Sequence, residues 1–416
     1  MADKLTRTRY SPGLFDTTQD IIGALPLKLV ADWLSTGQTQ EDAVELLDTH
    51  KVRGYSISSD SAGLTKLTQQ TSLLEILAII NQPKTIVYGL GRAIGGEGVG
   101  IWAADNTQMF YPDAVDAVTL VSALLTMQDE IDRNCRTRIG LGAHFGEFYS
   151  IGGGLYGFEA DTIEEIAENQ TAGGEIVISQ AILDRMPPDH GFTLEKRSDL
   201  TTEIGTIYRV LDGRRLSGVR PSRERYPIPY SEAFYGDLVA YATRMNDQDF
   251  ARRLEEKYLR YKIVVLIDRE NEESQGHEIS MFNHLSFSAL MKDIGLQLLP
   301  AGAAAEIKVV GTLGIYVFDD APAALDFARS FRQAFAKYDI ACRIGIDAGA
   351  VVLFDLPAGG KDSAGNPVNV ASKMAQDNGI FGKVYLGAAM KALVDVSGFT
   401  EISYTVSGVE MNVYEG

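Results

Sequence analysis

Arg343-Ile344-Gly345-Ile346-Asp347 is a short apolar strand phrase with a twin, Arg138-Ile139-Gly140-Leu141-Gly142, at an offset of 205 residues. Each phrase follows, within three residues, one of the chain's two cysteines, Cys342 and Cys135. Working outward, Gly174-Glu175-Ile176-Val177-Ile178-Ser179 matches Gly382-Lys383-Val384-Tyr385-Leu386-Gly387 at an offset of 208. Upstream, Tyr55-Ser56-Ile57-Ser58-Ser59-Asp60 matches Val264-Val265-Leu266-Ile267-Asp268, again at 208. One such pair arises by chance, but an ordered series at nearly constant offset indicates a duplicated domain of roughly 160 residues.

Between the paired phrases the pattern alternates strands with amphipathic helices. Residues 72–81 and 114–132 are helical in the first half, and 278–298 and 321–338 in the second. Helices laid on a sheet, an α+β (α/β) sandwich, is the architecture this order implies. Residues 1–49 read as a helical lead-in, 50–211 as the first domain and 261–416 as the second. Residues 212–260 read as linker and helix. The stretch from Asp212 to Arg225 is rich in Gly, Pro, Ser and Arg, which suggests an exposed connection.

The 416 residues are 45% apolar and 23% charged, which excludes a collagen-like, wholly disordered or disulfide-stapled chain. Two cysteines suggest a reducing compartment. No stretch approaches the length of a membrane span, and Met1-Ala2-Asp3-Lys4-Leu5-Thr6 lacks the apolar run of a secretory signal. The expectation is therefore a cytoplasmic protein. A net charge of −18 repels phosphate backbones, so nucleic acid is not the expected partner.

The strongest local feature is Ser59-Asp60-Ser61-Ala62-Gly63-Leu64-Thr65-Lys66-Leu67. A carboxylate ends an apolar strand, and a small-residue turn leads toward a helix. Such a turn can aim backbone N–H groups at a phosphate, and the carboxylate can hold a divalent ion beside it. A plain helix cap at a tight turn is the competing reading. A second carboxylate, Asp105, follows 45 residues on, after glycines at 95, 96, 98 and 100. Alone it reads as a hairpin residue; with Asp60 it would make a two-ion clamp. The stretch Gly89-Leu90-Gly91-Arg92-Ala93-Ile94-Gly95-Gly96 reads as a flexible hairpin rather than a dinucleotide loop, because no acidic ribose partner follows. The histidines show no zinc-ligand spacing.

Four features together resemble the class III nucleotidyl cyclases: Asp60-Ser61-Ala62-Gly63-Leu64-Thr65, Asp105, the Arg-Ile-Gly phrases, and Gly365-Asn366-Pro367-Val368-Asn369-Val370-Ala371-Ser372-Lys373. The resemblance covers about residues 50–210 and 260–416. It implies two ferredoxin-like domains pairing head to tail within one chain as a pseudo-two-fold dimer. It further implies that Asp60 and Asp105, with the Ser61 carbonyl, hold two Mg²⁺ or Mn²⁺ ions, and that Gly63, Leu64 and Thr65 form the phosphate turn. In the second half, Lys308 and Asp362 match the base-reading pair. Asn369 matches the ribose-orienting residue, and Lys373 stands where the family has a transition-state arginine.

The two halves depart from the family in opposite ways. In the first, Ile101 and Gly157 stand at the base-reading positions, and Glu164 and Glu168 at the Asn and Arg positions. In the second, Thr312 replaces the second metal aspartate, and Arg269-Glu270-Asn271-Glu272-Glu273 replaces the glycine turn after Asp268. One composite set then remains: Asp60, Asp105, Lys308, Asp362, Asn369 and Lys373. The resemblance implies an adenylyl cyclase that converts ATP to cyclic AMP and pyrophosphate. The alternative is an inactive pseudo-cyclase that binds ATP as a regulatory or scaffold protein.

Overall fold

The computed structural model describes residues 27–62, 71–100, 102, 107–228, 230–244, 247–270, 276–300, 304–310, 312–355, 361–406 and 409–416. The chain is a mixed α+β protein with two eight-stranded sheets. Its contacts fall into two units, one holding residues 47–64 and 75–229, the other residues 1–46, 65–74 and 230–416. Two short helices, α1 (Leu27–Leu34) and α2 (Gln40–Asp48), come first. α1 belongs to the second unit.

The first domain opens with β1 (Lys51–Ala62), α3 (Leu73–Ala93), β2 (Glu97–Val99), β3 (Thr107–Pro112), α4 (Ala117–Asn134) and β4 (Arg138–Ile151). Its strands lie in the order β2-β3-β1-β4, each antiparallel to its neighbour. A βαββαβ chain in that order is the ferredoxin-like topology. β5 (Gly154–Tyr156) hairpins back on β4, and α5 (Phe158–Asn169) follows. The sheet then extends through β6 (Ile176–Ser179), parallel to β4. After α6 (Gln180–Leu183), β7 (Thr193–Lys196) and β8 (Ile207–Asp212) complete it.

α3 runs past residue 81, through Pro83, to Ala93. The glycine-rich stretch read from sequence as a hairpin is therefore in part the end of a helix. Its glycines serve close packing: a Cβ on Gly91 would fall against the sulfur of Met109 and the hydroxyl of Tyr111. α3 can lie on β3 only because that carbon is missing. Residues 213–228 also differ from a bare linker. They form an extended strap over the first domain, with the Leu216 N–H on Thr126 Oγ1 at 2.9 Å, Arg215 Nε on Asp129 at 3.0 Å, and the Ser222 N–H on the Gly89 carbonyl at 2.8 Å.

Two capped helices follow, α7 (Glu232–Ala242) after Ser231 and α8 (Gln248–Tyr258) after Asp247; each cap side chain accepts a backbone N–H three residues on. The second domain then repeats the first: β9 (Leu259–Arg269), α9 (His277–Leu298), β10 (Ala304–Val310), β11 (Leu313–Phe318), α10 (Ala321–Ala336) and β12 (Cys342–Asp355). β13 (Lys361–Ala364) and α11 (Asn366–Ser372) come next, then β14 (Val384–Gly387), β15 (Thr400–Val406) and β16 (Val409–Glu415). The strand order, β10-β11-β9-β12-β14-β16-β15, reproduces the first sheet position by position. Trp33 of α1 stacks on Phe282 of α9, with centroids 4.6 Å apart and planes within 12°.

Period-two burial divides β9 between two cores. Ile263, Val265 and Ile267 pack with residues of α9 and α10, including Met291, Phe327 and Phe331. Val264 and Leu266 face the other way, toward Ala371 and Ala375. Asp268 shares that second face by alternation. α4 and α10, which occupy matching places in the two domains, both start on an aspartate cap, Asp116 and Asp320.

Strand register corrects the pairing of the two halves. Ser58 lies opposite Gly142, and Leu266 opposite Gly345, so Gly345 corresponds to Gly142 and Arg343 to Gly140. The Arg-Ile-Gly match at 205 had aligned Arg343 with Arg138. The glycine that matters is the one beneath a helix. A Cβ on Gly345 would run into the backbone of Ala371 in α11, and one on Gly142 into Ala167 and Ile163 of α5. Further on, Ile151 pairs with Gly154, and Phe354 with Asp362, which makes Gly154 rather than Gly157 the counterpart of Asp362. Gly157 and Gly365 both precede their helices at positive φ, +112° and +154°. Counting from them, Asp161 and Glu165, not Glu164 and Glu168, correspond to Asn369 and Lys373. Likewise Val99 opposes Gln108 as Lys308 opposes Ile315, so the counterpart of Lys308 is Val99 rather than Ile101.

Candidate nucleotide site

Asp60 sits near the end of β1, half-buried, directly opposite Gly140 on β4. Its counterpart Asp268 sits opposite Arg343, and the guanidinium holds it through two nitrogens at 2.8 Å each. That pair is buried, with the Asp268 side chain 7% exposed. The same arginine donates to the Gly379 carbonyl and lies over the Phe381 ring. Register thus gives two equivalent aspartates opposite neighbours. One faces a residue with no side chain, the other a fixed cation. A metal ion near Asp268 would meet the positive charge of Arg343 already in place, whereas Gly140 brings no such charge across the strand from Asp60. The oxygen donor set at Asp60 and Ser61 suits a hard divalent cation.

Ser61 is buried, and its hydroxyl finds no hydrogen-bond partner among the described residues. Gly63, Leu64, Thr65 and Asp105 lie outside the described residues, as does Ile101. Among the described residues there is no cluster of three or more His, Cys, Asp or Glu able to hold a metal.

In the second domain, Lys308 lies on β10 beside a register shift, paired with Ile315. Asp362 lies on β13, paired with Phe354. β10 contacts β13, and β13 contacts α11, so the segments bearing Lys308, Asp362, Asn369 and Lys373 adjoin one another. Asn369 is exposed on α11. At Lys373 the helix widens into a π turn, Lys373–Asp377; such turns recur at functional sites. The Lys373 ammonium reaches Asp377 Oδ2 at 2.7 Å, so the candidate catalytic cation starts paired. Sequence reading had no signal for that pairing beyond the four-residue spacing.

The corresponding helix in the first domain, α5, carries Glu159, Asp161, Glu164, Glu165 and Glu168. Burial, reinforced by Asp161, pushes the Glu164 carboxyl above its usual range. The corrected pairing leaves the electrostatic contrast standing: acids occupy both positions in α5 where α11 has an amide and a lysine.

A second contrast lies deeper. His144 and Asp347 occupy the same place on β4 and β12. His144 Nδ1 meets Ser179 Oγ at 2.8 Å, and its Nε2 lies 3.5 Å from Glu159. At Asp347 the serine is replaced by Gly387, where a Cβ would collide with the carboxylate. Burial pushes Asp347 up to about 7, against backbone N–H bonds from Ala348 and Ala389 that lower it. Both cysteines are free thiols, and burial pushes Cys135 up to about 11. No helix among the described residues is long and apolar enough to cross a membrane.

The solved structures that resemble this chain are class III adenylyl and guanylyl cyclase-like proteins. One is a class III adenylyl cyclase-like ATP-binding protein from Pseudomonas aeruginosa, 10% identical, with a TM-score of 0.49 over 83% of this chain and 85% of that one. Another is an adenylyl cyclase, CyaB, from P. aeruginosa, 18% identical, with a TM-score of 0.35 over 40% of this chain and 98% of that one. A third is the guanylyl cyclase domain of the RhoGC fusion protein from the aquatic fungus Blastocladiella emersonii, 19% identical, with a TM-score of 0.33 over 40% of this chain and 99% of that one. Neither a family model nor a curated protein matches the sequence.

Proposed function

We propose that this chain is a tandem class III cyclase-type protein that handles ATP with residues drawn from both halves, and that it converts ATP to cyclic AMP and pyrophosphate. The observation that carries the reading is the loss at Asp268, which Arg343 ion-pairs in the second domain, while Gly140 stands in that arginine's place across from Asp60. The acidic α5 against the Asn/Lys-bearing α11 supports the same division of labour.

In this reading Asp60, Asp105 and the Ser61 carbonyl hold two Mg²⁺ or Mn²⁺ ions, which when bound supply phosphate neutralisation and a more acidic ribose 3′-hydroxyl. The backbone N–H groups of Gly63, Leu64 and Thr65 hold the β- and γ-phosphates. Lys308 donates to adenine N1 and Asp362 accepts from the N6 amino group. Guanine presents a ring N–H and a carbonyl at those atoms, so the pair prefers ATP. Asn369 orients the ribose. The 3′-oxygen attacks the α-phosphorus in line, its proton leaves to solvent, and the bond to pyrophosphate breaks. Lys373 places charge on the α-phosphate as that happens.

The Lys373–Asp377 pair favours a second reading, ATP binding without turnover. Lysine lacks the planar fork of arginine, and it must leave a carboxylate 2.7 Å away to reach a phosphate. Incubation of the purified chain with ATP and Mg²⁺ or Mn²⁺ separates the two. Cyclic AMP that is lost in Asp60→Ala and in Lys308→Ala supports the cyclase. Saturable thermal stabilisation by ATP with no product supports the pseudo-cyclase. No product and no stabilisation overturns both.

A further inference from the structure

Trp102 is fully buried, three residues before Asp105. Its indole N–H donates to the Val99 carbonyl at 3.0 Å and the Gln108 carbonyl at 3.1 Å, one from each side of the β2–β3 connection. Its own carbonyl accepts from Lys84 Nζ at 2.8 Å, a lysine buried in α3. The ring of Tyr226, from the strap that leaves the first domain, stacks on the indole with centroids 5.4 Å apart and planes within 17°. Tyr88 closes the other side edge-on at 5.5 Å. The Tyr226 hydroxyl donates to Asn81, and Lys84 Nζ lies 5.7 Å from the Tyr226 ring centre. The strap is pinned on both sides of Tyr226. Ser222 holds the Gly89 carbonyl, and Pro227 covers Gly98 so closely that a Cβ there would lie 2.8 Å from the proline ring.

Among the described residues the second domain shows no such arrangement. The chain has two tryptophans, Trp33 and Trp102, and the β10–β11 connection is two residues shorter between matched positions. Among the described residues the clamp occurs in the half that carries Asp105, the proposed second metal ligand.

We propose that the strap 221–227 positions the β2–β3 hairpin, with Tyr226 holding Trp102, a residue three positions before Asp105 in the sequence. Tyr226 is a positioning residue, and the inference rests on the reading of Asp105 as a metal ligand. The connection between the domains is then also a control on metal affinity, because anything that pulls the strap loosens the hairpin. Partners that orient a metal ligand are typically worth 10–100-fold in affinity.

The test uses the full chain carrying Trp33→Phe, which leaves Trp102 as the only indole. In that background Tyr226→Ala is expected to red-shift the Trp102 emission and speed amide exchange in residues 97–112 while 313–318 stay unchanged. It should raise the Mn²⁺ concentration for half-maximal ATP-dependent thermal stabilisation by about tenfold. Tyr226→Phe keeps the stack and should restore all three readouts. Ser222→Pro removes the N–H that grips Gly89, and should move them in the same direction by less; it serves if Tyr226→Ala does not fold. Exchange in 97–112 unchanged by either loosening variant overturns the proposal. So does faster exchange with a Mn²⁺ demand within about twofold of the parent. A parent protein with no response to Mn²⁺ or ATP defeats the metal reading alone, and the exchange pattern then still decides whether the strap positions the hairpin.

Discussion

Asp60 and Asp268 occupy the same place on equivalent strands, and the residue across the strand decides what each can do. Asp268 is held by Arg343 out of water, so Asp268→Asn leaves a buried guanidinium uncompensated and should destabilise the protein by about 3–5 kcal/mol. Asp60→Asn, across from Gly140, breaks no pair with an arginine on the neighbouring strand and is expected to cost less stability than Asp268→Asn while abolishing any metal-dependent response to ATP. Chemical denaturation and a nucleotide thermal-shift titration on both variants check the contrast; equal destabilisation would refute it. Asp347 offers a pH test. Its carboxyl is raised from 3.8 to about 7 by burial, so the folded state keeps a proton that the unfolded state has lost. The stability this group contributes is complete below pH 4 and declines as pH rises to 7, at roughly 1.4 kcal/mol per pH unit. Asp347→Asn should therefore raise the melting temperature at pH 8 and have little effect at pH 4. A gain of equal size at both values would contradict this account.

At the scale of elements, the repeat was legible because strands have period two and their apolar runs survive divergence. Register was not, because Arg-Ile-Gly invites alignment by its arginine, whereas packing selects the glycine under the helix. The hairpin read at residues 89–96 failed for a related reason. Glycine marks close approach as well as turns, and at Gly91 it is the approach of α3 to β3 that requires it. The expectations for Asp362 and Lys308 rest on local motif spacing alone. Their counterparts in the first domain needed strand pairing across hairpins of unequal length. Gly345 tests the packing argument directly. An added methyl meets the backbone of Ala371, which cannot rotate away as a side chain would. Gly345→Ala should cost about 1–3 kcal/mol, and should weaken ATP binding by displacing α11, which carries Asn369. Gly398→Ala, where a Cβ meets open space, is the control, and a similar loss there would remove the argument.

At the scale of the molecule, the two domains share one topology and divide their polar residues unequally. The sequence made the duplication and this inequality visible. It concealed the strap, because a run of Gly, Pro, Ser and Arg has the composition of solvent-exposed chain whether or not its backbone is pinned. A fragment of residues 47–229 keeps the whole first sheet and the strap, and is expected to fold as a cooperative unit. A fragment of 230–416 loses the Trp33 stack on Phe282 and should melt well below the full chain. Adding residues 27–46 as a separate peptide should recover part of that loss, and failure of the peptide to raise the melting temperature would count against the assignment.

That same stack has a consequence for how the protein is made. Trp33 emerges from the ribosome long before Phe282, separated from it by most of the chain. At a synthesis rate of about 5–20 residues per second, the apolar face of α1 waits on the order of ten seconds or more for its partner. During that interval the first domain can complete its sheet while α1 remains exposed. A chaperone that captures short apolar segments would find its binding window there, at the start of the chain, and would lose it once α9 has formed.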